Sequence, residues 1–434
     1  MGALFGTDGV RGRWGTDLTP DLVRSLAYAA TRVLGAERVL IGRDTRASGE
    51  PIERELAAGI AAAGGHPLVA GIIPTPAIAV LVRSYRCEAG AVISASHNPA
   101  DDNGIKFFGP DGMKLPDDVE HKIESEMDGP AASPADTREP VPDAEERYLD
   151  FLLDHAPSVA GLRVIVDAAN GAAFHVAPEA LRRAGATVEA IGVSPDGRNI
   201  NDNCGSTHPE HLQRLVVERG AHVGIAHDGD ADRLIAVDEG GEIVDGDQVL
   251  AICALDRKRR GVLKGNAVVA TVMANLGFHR AMRAHGVDVV ETAVGDRYVL
   301  EAMRERGLEL GGEQSGHLIF LDRHTTGDGI MTALRLLDVL VRADIPLSEL
   351  AAVAPRLPQV LINVNVGNRD ALDDAALVWD EVENTRAALG EHGRVLIRPS
   401  GTEPVVRVMV QADTEDAAQS EAERLSHIVE SALS

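Results

Sequence analysis

The sequence predicts an α/β protein: three successive mixed α/β domains followed by a smaller C-terminal α+β domain. Three observations predict it. The chain has 434 residues, more than one hydrophobic core organises, and chains of that size divide into domains of roughly 100–150 residues. Short apolar runs alternate with helical patterns over most of its length, the pattern of βαβ units in a mixed or parallel sheet covered by helices. Near the end the order changes to strand, helix, two strands and a closing helix.

From the N-terminus, a strand is predicted at 39–41, then an Ala-rich helix over 50–63, a strand at 67–70, a helix over 77–83 and a strand at 90–93. A stretch rich in Pro, Asp and Ala at 129–143 separates this unit from a second, with strands at 162–166 and 222–226. A third unit begins at 267–270 and includes a strand at 287–290 and a helix over 327–341. Three similar units suggest an old duplication, although no residue-level repeat is visible. The last unit offers a strand at 360–366, a helix over 373–389 and strands at 394–397 and 405–410. The expected divisions are 1–155, 156–255, 256–360 and 361–434. The basic cluster Arg257-Lys258-Arg259-Arg260 reads as the charged end of a helix or as a linker.

Composition excludes several classes. Hydrophobic residues make up 44%, and no apolar run approaches the roughly 18 residues of a membrane span. The net charge is −25, from 42 basic and 67 acidic residues, which argues against a nucleic-acid surface. Cys87, Cys204 and Cys253 are scattered without metal-ligand spacing, as idle thiols in a reducing compartment would be. The first residues carry neither a basic segment nor an apolar export signal, so a cytoplasmic protein is expected.

Each informative motif follows a predicted strand or lies in a loop, where a rigid scaffold presents functional groups. In Ile93-Ser94-Ala95-Ser96-His97-Asn98-Pro99 a strand ends in small hydroxyl residues, and Ser96 can be a nucleophile or carry a phosphate. A Ser/Asn turn with a hydrogen-bonded histidine is the plain alternative. In His227-Asp228-Gly229-Asp230-Ala231-Asp232-Arg233 three carboxylates alternate with small residues, a donor set for a hard divalent cation. A solvated acidic turn is the alternative, and the long spacing and distal Glu of a calcium-sensor loop are missing.

In Gly311-Gly312-Glu313-Gln314-Ser315-Gly316-His317, Glu313 and Ser315 can bind sugar hydroxyls and His317 can carry a proton; a hairpin turn reads equally well. In Arg398-Pro399-Ser400-Gly401-Thr402-Glu403-Pro404, with Arg407 beyond, a guanidinium fork, hydroxyls and exposed N–H groups can form a nest for phosphate, with a plain turn as the alternative. Two weaker pieces are Phe5-Gly6-Thr7-Asp8-Gly9-Val10-Arg11-Gly12 and Asn103-Gly104-Ile105-Lys106, where the amine could neutralise a phosphoryl group, an unpaired surface lysine being the commoner case. Gly42-Arg43-Asp44 and Gly295-Asp296-Arg297 also follow apolar segments, with no role assigned.

Together these motifs resemble one family, the α-D-phosphohexomutases, and they stand in that family's order over nearly the whole chain. The resemblance implies four domains around a central active-site cleft, each contributing one loop. It implies that Ser96 is the phosphoserine of the resting enzyme. Asp228, Asp230 and Asp232 would hold one Mg²⁺, with the Ser96 phosphate completing the site. Glu313 and Ser315 match sugar-hydroxyl contacts, Arg11 a further substrate contact, and Arg398, Ser400, Gly401, Thr402 and Arg407 the clamp for the non-reacting phosphate. Lys106, His317 and Arg233 match residues near the transferring phosphoryl group, with His97 beside the serine; which of them moves protons stays open.

The Phe5–Gly12 opening and Gln314 resemble the branch of the family that acts on glucosamine phosphates; mannose and glucose phosphate relatives tend to carry Met at the position of Gln314. The implied reaction interconverts glucosamine 6-phosphate and glucosamine 1-phosphate through a sugar 1,6-bisphosphate, which also serves as activator, in amino-sugar metabolism leading to UDP-N-acetylglucosamine and cell-wall precursors. The expected partner is a small-molecule sugar phosphate, and a homodimer is admitted. The alternatives are a phosphomannomutase/phosphoglucomutase of the same family, a metal-dependent sugar phosphatase and a non-catalytic sugar-phosphate binding protein.

Overall fold

The computed structural model describes residues 4–6, 8–127, 138–154, 156–400 and 405–433, and among them the strands form four sheets. The first contains β1 (Val10–Arg13), β2 (Arg38–Arg43), β3 (His66–Ile72), β4 (Ala89–Ile93), β5 (Asp102–Phe108) and β6 (Glu139–Pro140), in the order β1-β5-β4-β2-β3-β6. The second contains β7 (Arg163–Asp167), β8 (Thr187–Ile191), β9 (Val223–Ala226), β10 (Ile235–Asp238) and β11 (Ile243–Val244), in the order β11-β10-β9-β7-β8. The third contains β12 (Ala267–Thr271), β13 (Asp288–Thr292), β14 (Leu310–Gly312) and β15 (Leu318–Phe320), in the order β13-β12-β14-β15. The fourth, wholly antiparallel, places β18 (Val405–Ala412) between β16 (Gln359–Asn365) and β17 (Gly393–Pro399).

The central strands β4, β9 and β12 are buried along their whole length. Their runs of Ala, Gly, Val and Ile, with Thr271 closing β12, suit a sheet covered on both faces. In each of the first three sheets a parallel core gives way to an antiparallel neighbour: β4 to β5, β9 to β10 and β14 to β15. The four motif loops lie at such antiparallel turns, the last between β17 and β18. A short reversal at the end of a buried strand presents its side chains beyond the end of the sheet.

The helix Gly246–Arg259 is capped by Asp245 and Gln248 in a reciprocal capping box, and it ends in Arg257, Lys258 and Arg259. The basic cluster is therefore a helix end, where cations suit the helix dipole. The expected division at 255/256 falls inside this helix and is corrected. The helix packs on β14 and on the helices Leu276–Ala284 and Gly329–Ala343 of the third unit, and the chain breaks at its cap, Asp245.

One apolar cluster runs through the first three units, including Phe108, Tyr148, Val166, Leu250 and Leu337. The fourth unit has its own core, with Val382, Val408 and Leu425 at its centre. It meets the third unit through polar contacts: Leu276 N donates to Gln411 Oε1 at 2.8 Å, Arg280 pairs with Asp413 at 2.7 Å, and Arg394 reaches Glu291. The three cysteines are free, and no helix among the described residues is long and apolar enough to cross a membrane.

Candidate active site

Ser96 stands just beyond β4, buried and with φ of +51°, a left-handed backbone that L residues adopt only when their surroundings impose it. Those surroundings are a buried ion pair. Arg46 and Asp44 are fully enclosed and meet at 2.9 Å. From there Arg46 Nη2 donates to the carbonyls of Ser96 (3.0 Å) and Asn98 (2.8 Å), and Nη1 to that of Asp102 (2.8 Å). Asn201 of the second unit donates to the Ser96 and Asn98 carbonyls at 2.9 and 3.1 Å. Asp44 also accepts from Ser94 Oγ at 2.5 Å, and Ser94 Oγ accepts from the Ser96 amide at 3.0 Å. Arg46→Ala leaves the Asp44 carboxylate buried without its cation, a loss of about 3–5 kcal/mol. Urea denaturation of this variant is expected to show that drop.

The aspartate loop closes over the serine. Ser96 Oγ donates to Asp228 Oδ2 at 2.5 Å and lies 3.3 Å from His97 Nδ1. A Cβ on Gly229 would stand 2.6 Å from the Ser96 carbonyl oxygen, so this glycine lets the two loops touch. Asp228, Asp230 and Asp232 are all buried, and each offers a carboxylate oxygen within 4.8 Å of the others. Asp230 Oδ1 and Asp232 Oδ1 have no hydrogen-bond partner. Burial and the neighbouring Asp232 and Asp230 push the Asp228 carboxyl well above its usual range. Burial and Asp230 raise Asp232 as well. Burial would also raise Asp230, but Lys106 and a 2.7 Å hydrogen bond from Thr75 bring it below the usual range. Buried carboxylate oxygens with no donor and mutual repulsion call for a cation, and an all-oxygen set suits a hard divalent one.

Cations ring the other side. Lys106, on β5, reaches Asp8 at 2.7 Å and Asp230 at 3.3 Å. Burial alone would lower its ammonium, but Asp230 and Asp8 outweigh it and hold the charge. Arg233 lies 3.7 Å from Asp232, and Arg11 bonds Asp8 at 2.7 Å and Asn98 at 3.4 Å. Burial, with Arg233 and Arg11 nearby, lowers the His97 imidazole to about 4. His317, at the start of β15, is buried with neither ring nitrogen hydrogen-bonded. Its Nε2 lies 3.5 Å from Asp296 and 3.9 Å from Asp232, and Gly327 leaves the space its ring occupies.

The two Gly-Asp loops find their place here. Asp44 anchors the serine loop, and Asp296 joins the third unit to the first: Lys114 bridges Asp8 (2.7 Å) and Asp296 (2.5 Å). Arg297 adds a 2.9 Å pair with Glu120. Sequence reasoning passed over Lys114, Thr75 and Asn201, which stand in no motif. Asp44 and Asp296 carried the same signal as the other loops, a carboxylate just past an apolar strand.

Ser96, His97, Lys106, Asp228, Asp230, Asp232, Arg233 and His317 thus converge, with Arg11 at the rim. Glu313 accepts from the Gly295 amide at 3.2 Å, and Ser315 is exposed at the tip of its hairpin. The Gln314 side chain turns to Asp245, 3.3 Å away, and its carbonyl accepts from the Gly246 amide, so it ties the hairpin to a helix cap. Arg398 and Arg407 face each other across β17 and β18, beside the buried Ser400. Burial and Arg407 lower the Arg398 guanidinium, so an anion between them would relieve two like charges. Gly401 and Thr402 lie outside the described residues.

Four family models match this chain. They are those for phosphoglucomutase/phosphomannomutase, alpha/beta/alpha domains I, II and III and the C-terminal domain, over residues 2–132, 146–241, 245–357 and 361–428. The chain belongs to the phosphoglucomutase/phosphomannomutase family. Members are phosphohexomutases, isomerases that move a phosphate within a sugar, and this chain is one. A phosphoglucosamine mutase of Saccharopolyspora erythraea is 52% identical, with 99% of each chain covered. One of Desulforudis audaxviator is 51% identical, covering 99% of this chain and 98% of its own. Among solved structures, a phosphoglucomutase/phosphomannomutase family protein of Burkholderia thailandensis aligns over 99% of this chain and 97% of its own, with a TM-score of 0.81 and 26% identity. Phosphohexomutases of this family are metal-dependent, in keeping with the acidic triad.

Proposed function

We propose that this phosphohexomutase interconverts glucosamine 6-phosphate and glucosamine 1-phosphate through a phosphorylated Ser96. The observation that carries the reading is the Ser96 hydroxyl held 2.5 Å from Asp228, at the edge of a buried triad with two unpartnered oxygens. The preference for glucosamine rests on relatives of that name at about half identity over nearly the full chain.

Asp228, Asp230 and Asp232 would hold one Mg²⁺, which when bound neutralises charge on the phosphoryl oxygens. Lys106 and Arg233 add fixed positive charge on the same side. The sugar O1 attacks phosphorus, the bond from phosphorus to Ser96 Oγ breaks, and the O1 proton leaves to a base. His317, whose ring nitrogens make no hydrogen bond, would be the base that takes it. The resulting glucosamine 1,6-bisphosphate turns end for end, and Ser96 Oγ attacks its 6-phosphate. O6 takes a proton, glucosamine 1-phosphate leaves, and the phosphoserine is restored.

During both steps Arg398, Ser400 and Arg407, with Gly401 and Thr402, hold the phosphate that is not reacting. Glu313 and Ser315 meet the sugar in two orientations. Arg398→Ala removes one charge-assisted fork, worth about 1.5–3 kcal/mol, so KM is expected to rise about 10–100-fold with a smaller change in kcat. Steady-state kinetics check that division.

The test of the whole reading is a ³¹P NMR time course with Mg²⁺ and a trace of sugar bisphosphate, comparing glucosamine, glucose and mannose 6-phosphates. Conversion of the glucosamine substrate well ahead of the others supports the proposal. Faster conversion of glucose or mannose 6-phosphate removes the substrate assignment, and release of inorganic phosphate without isomerisation removes the mechanism.

A further inference from the structure

A cavity of about 220 Å³ lies apart from the four loops, where the ends of helices Gly246–Arg259 and Gly329–Ala343 meet the segment after β15. Its lining holds five arginines and three aspartates, a positive excess in a chain whose net charge is −25. The aspartates are spent on three of the arginines. Arg342 pairs with Asp256 at 2.6 Å and Asp338 at 2.7 Å. Arg257 pairs with Asp322 at 3.1 Å, and Arg260 reaches Asp256 at 3.3 Å.

Arg323 and Arg335 are left over. Among the described residues neither side chain makes a hydrogen bond or an ion pair, and both are half-buried. Burial and the like charge of Arg323 pull the Arg335 guanidinium below its ordinary value. Two partly desolvated guanidiniums that repel each other are stabilised by an anion between them, and their planar forks match phosphate oxygens in pairs. The cavity is smaller than the roughly 300–1,000 Å³ of drug-sized ligand sites, so it suits an ion or the phosphate end of a small molecule.

We propose that this cavity is a second anion site, in which Arg323 and Arg335 bind a phosphate group, either free or carried by a small metabolite. No residue of the site belongs to the four motif loops, and the proposal stands whether or not glucosamine phosphates are the substrates.

Equilibrium dialysis of the full chain with labelled inorganic phosphate tests it. Wild type is expected to bind two phosphates per chain, and the Arg398→Ala/Arg407→Ala variant one. In Arg323→Gln/Arg335→Gln the second site should weaken at least tenfold while mutase turnover is retained. Arg335→Lys, which keeps the charge and loses the fork, serves if the double variant melts early; it should weaken the same site by a smaller factor. In the Arg398→Ala/Arg407→Ala variant, displacement of the label by glycerol 3-phosphate assigns a carried phosphate, and resistance to it assigns free phosphate. A single wild-type site that vanishes in the Arg398→Ala/Arg407→Ala variant would overturn the proposal. So would unchanged phosphate binding in both Arg323→Gln/Arg335→Gln and Arg335→Lys.

Discussion

Ser96→Ala is expected to lower kcat by at least about 10⁴-fold, the scale on which a covalent nucleophile counts. The variant should keep its fold. The left-handed backbone at this position is enforced by Arg46 and Asn201 bonding to the carbonyls of Ser96 and Asn98, and those contacts do not use the serine side chain. Circular dichroism and a melting curve close to wild type, together with lost turnover and lost phosphate incorporation, are the expected set. Turnover within tenfold of wild type would remove Ser96 from the reaction.

Asp228→Asn should have opposite effects on activity and on stability. The carboxylate is the one that meets the serine hydroxyl, and it belongs to the triad that would hold the cation, so turnover should fall at least about 10³-fold and divalent-cation affinity should weaken. Without a cation, however, the substitution removes one of three mutually repelling buried charges, and the metal-free variant should melt above the metal-free wild type. Chelation should silence the wild type reversibly and lower its melting temperature, because a ligand bound only by the folded state stabilises it. Calorimetry with and without Mg²⁺ reads both effects. A metal-free variant less stable than the metal-free wild type would mean that the hydrogen bonds Asp228 accepts outweigh the repulsion within the triad.

The parts of this site that were legible in the sequence share a physical cause. Buried strands such as β4 and β9 must be continuous apolar runs, so Ser96 and Asp228, which follow within three residues of their ends, were marked by the abrupt change to polar residues. The strands at 102–108 and 187–191 were not legible. The first opens with Asp, Asn and Gly, and the second is partly exposed and alternates with polar residues. Nor were the contacts that join units. Thr75 meets Asp230 from 155 positions away, and Lys114 meets Asp296 from 182. No local pattern encodes such pairs, since each member is an ordinary polar residue until the chain folds. Gln314 shows the converse. It stands within a motif, yet its side chain is bonded to a helix cap, a contact that no local pattern announced.

The separation of apolar cores gives this molecule one stiff body and one soft joint. Units one to three share a continuous interior that cannot be parted without exposing it to water, whereas the fourth is fastened largely by charges at the surface. Glu391, which pairs with Arg283 of the third unit at 3.3 Å, and Asp413, which pairs with Arg280, are 87% and 41% exposed, within reach of counter-ions that screen over about 8–10 Å at ordinary ionic strength. Parting the joint therefore breaks few apolar contacts, and the first three units keep their common interior while the fourth shifts. The ionic medium governs how tightly the fourth wall is held.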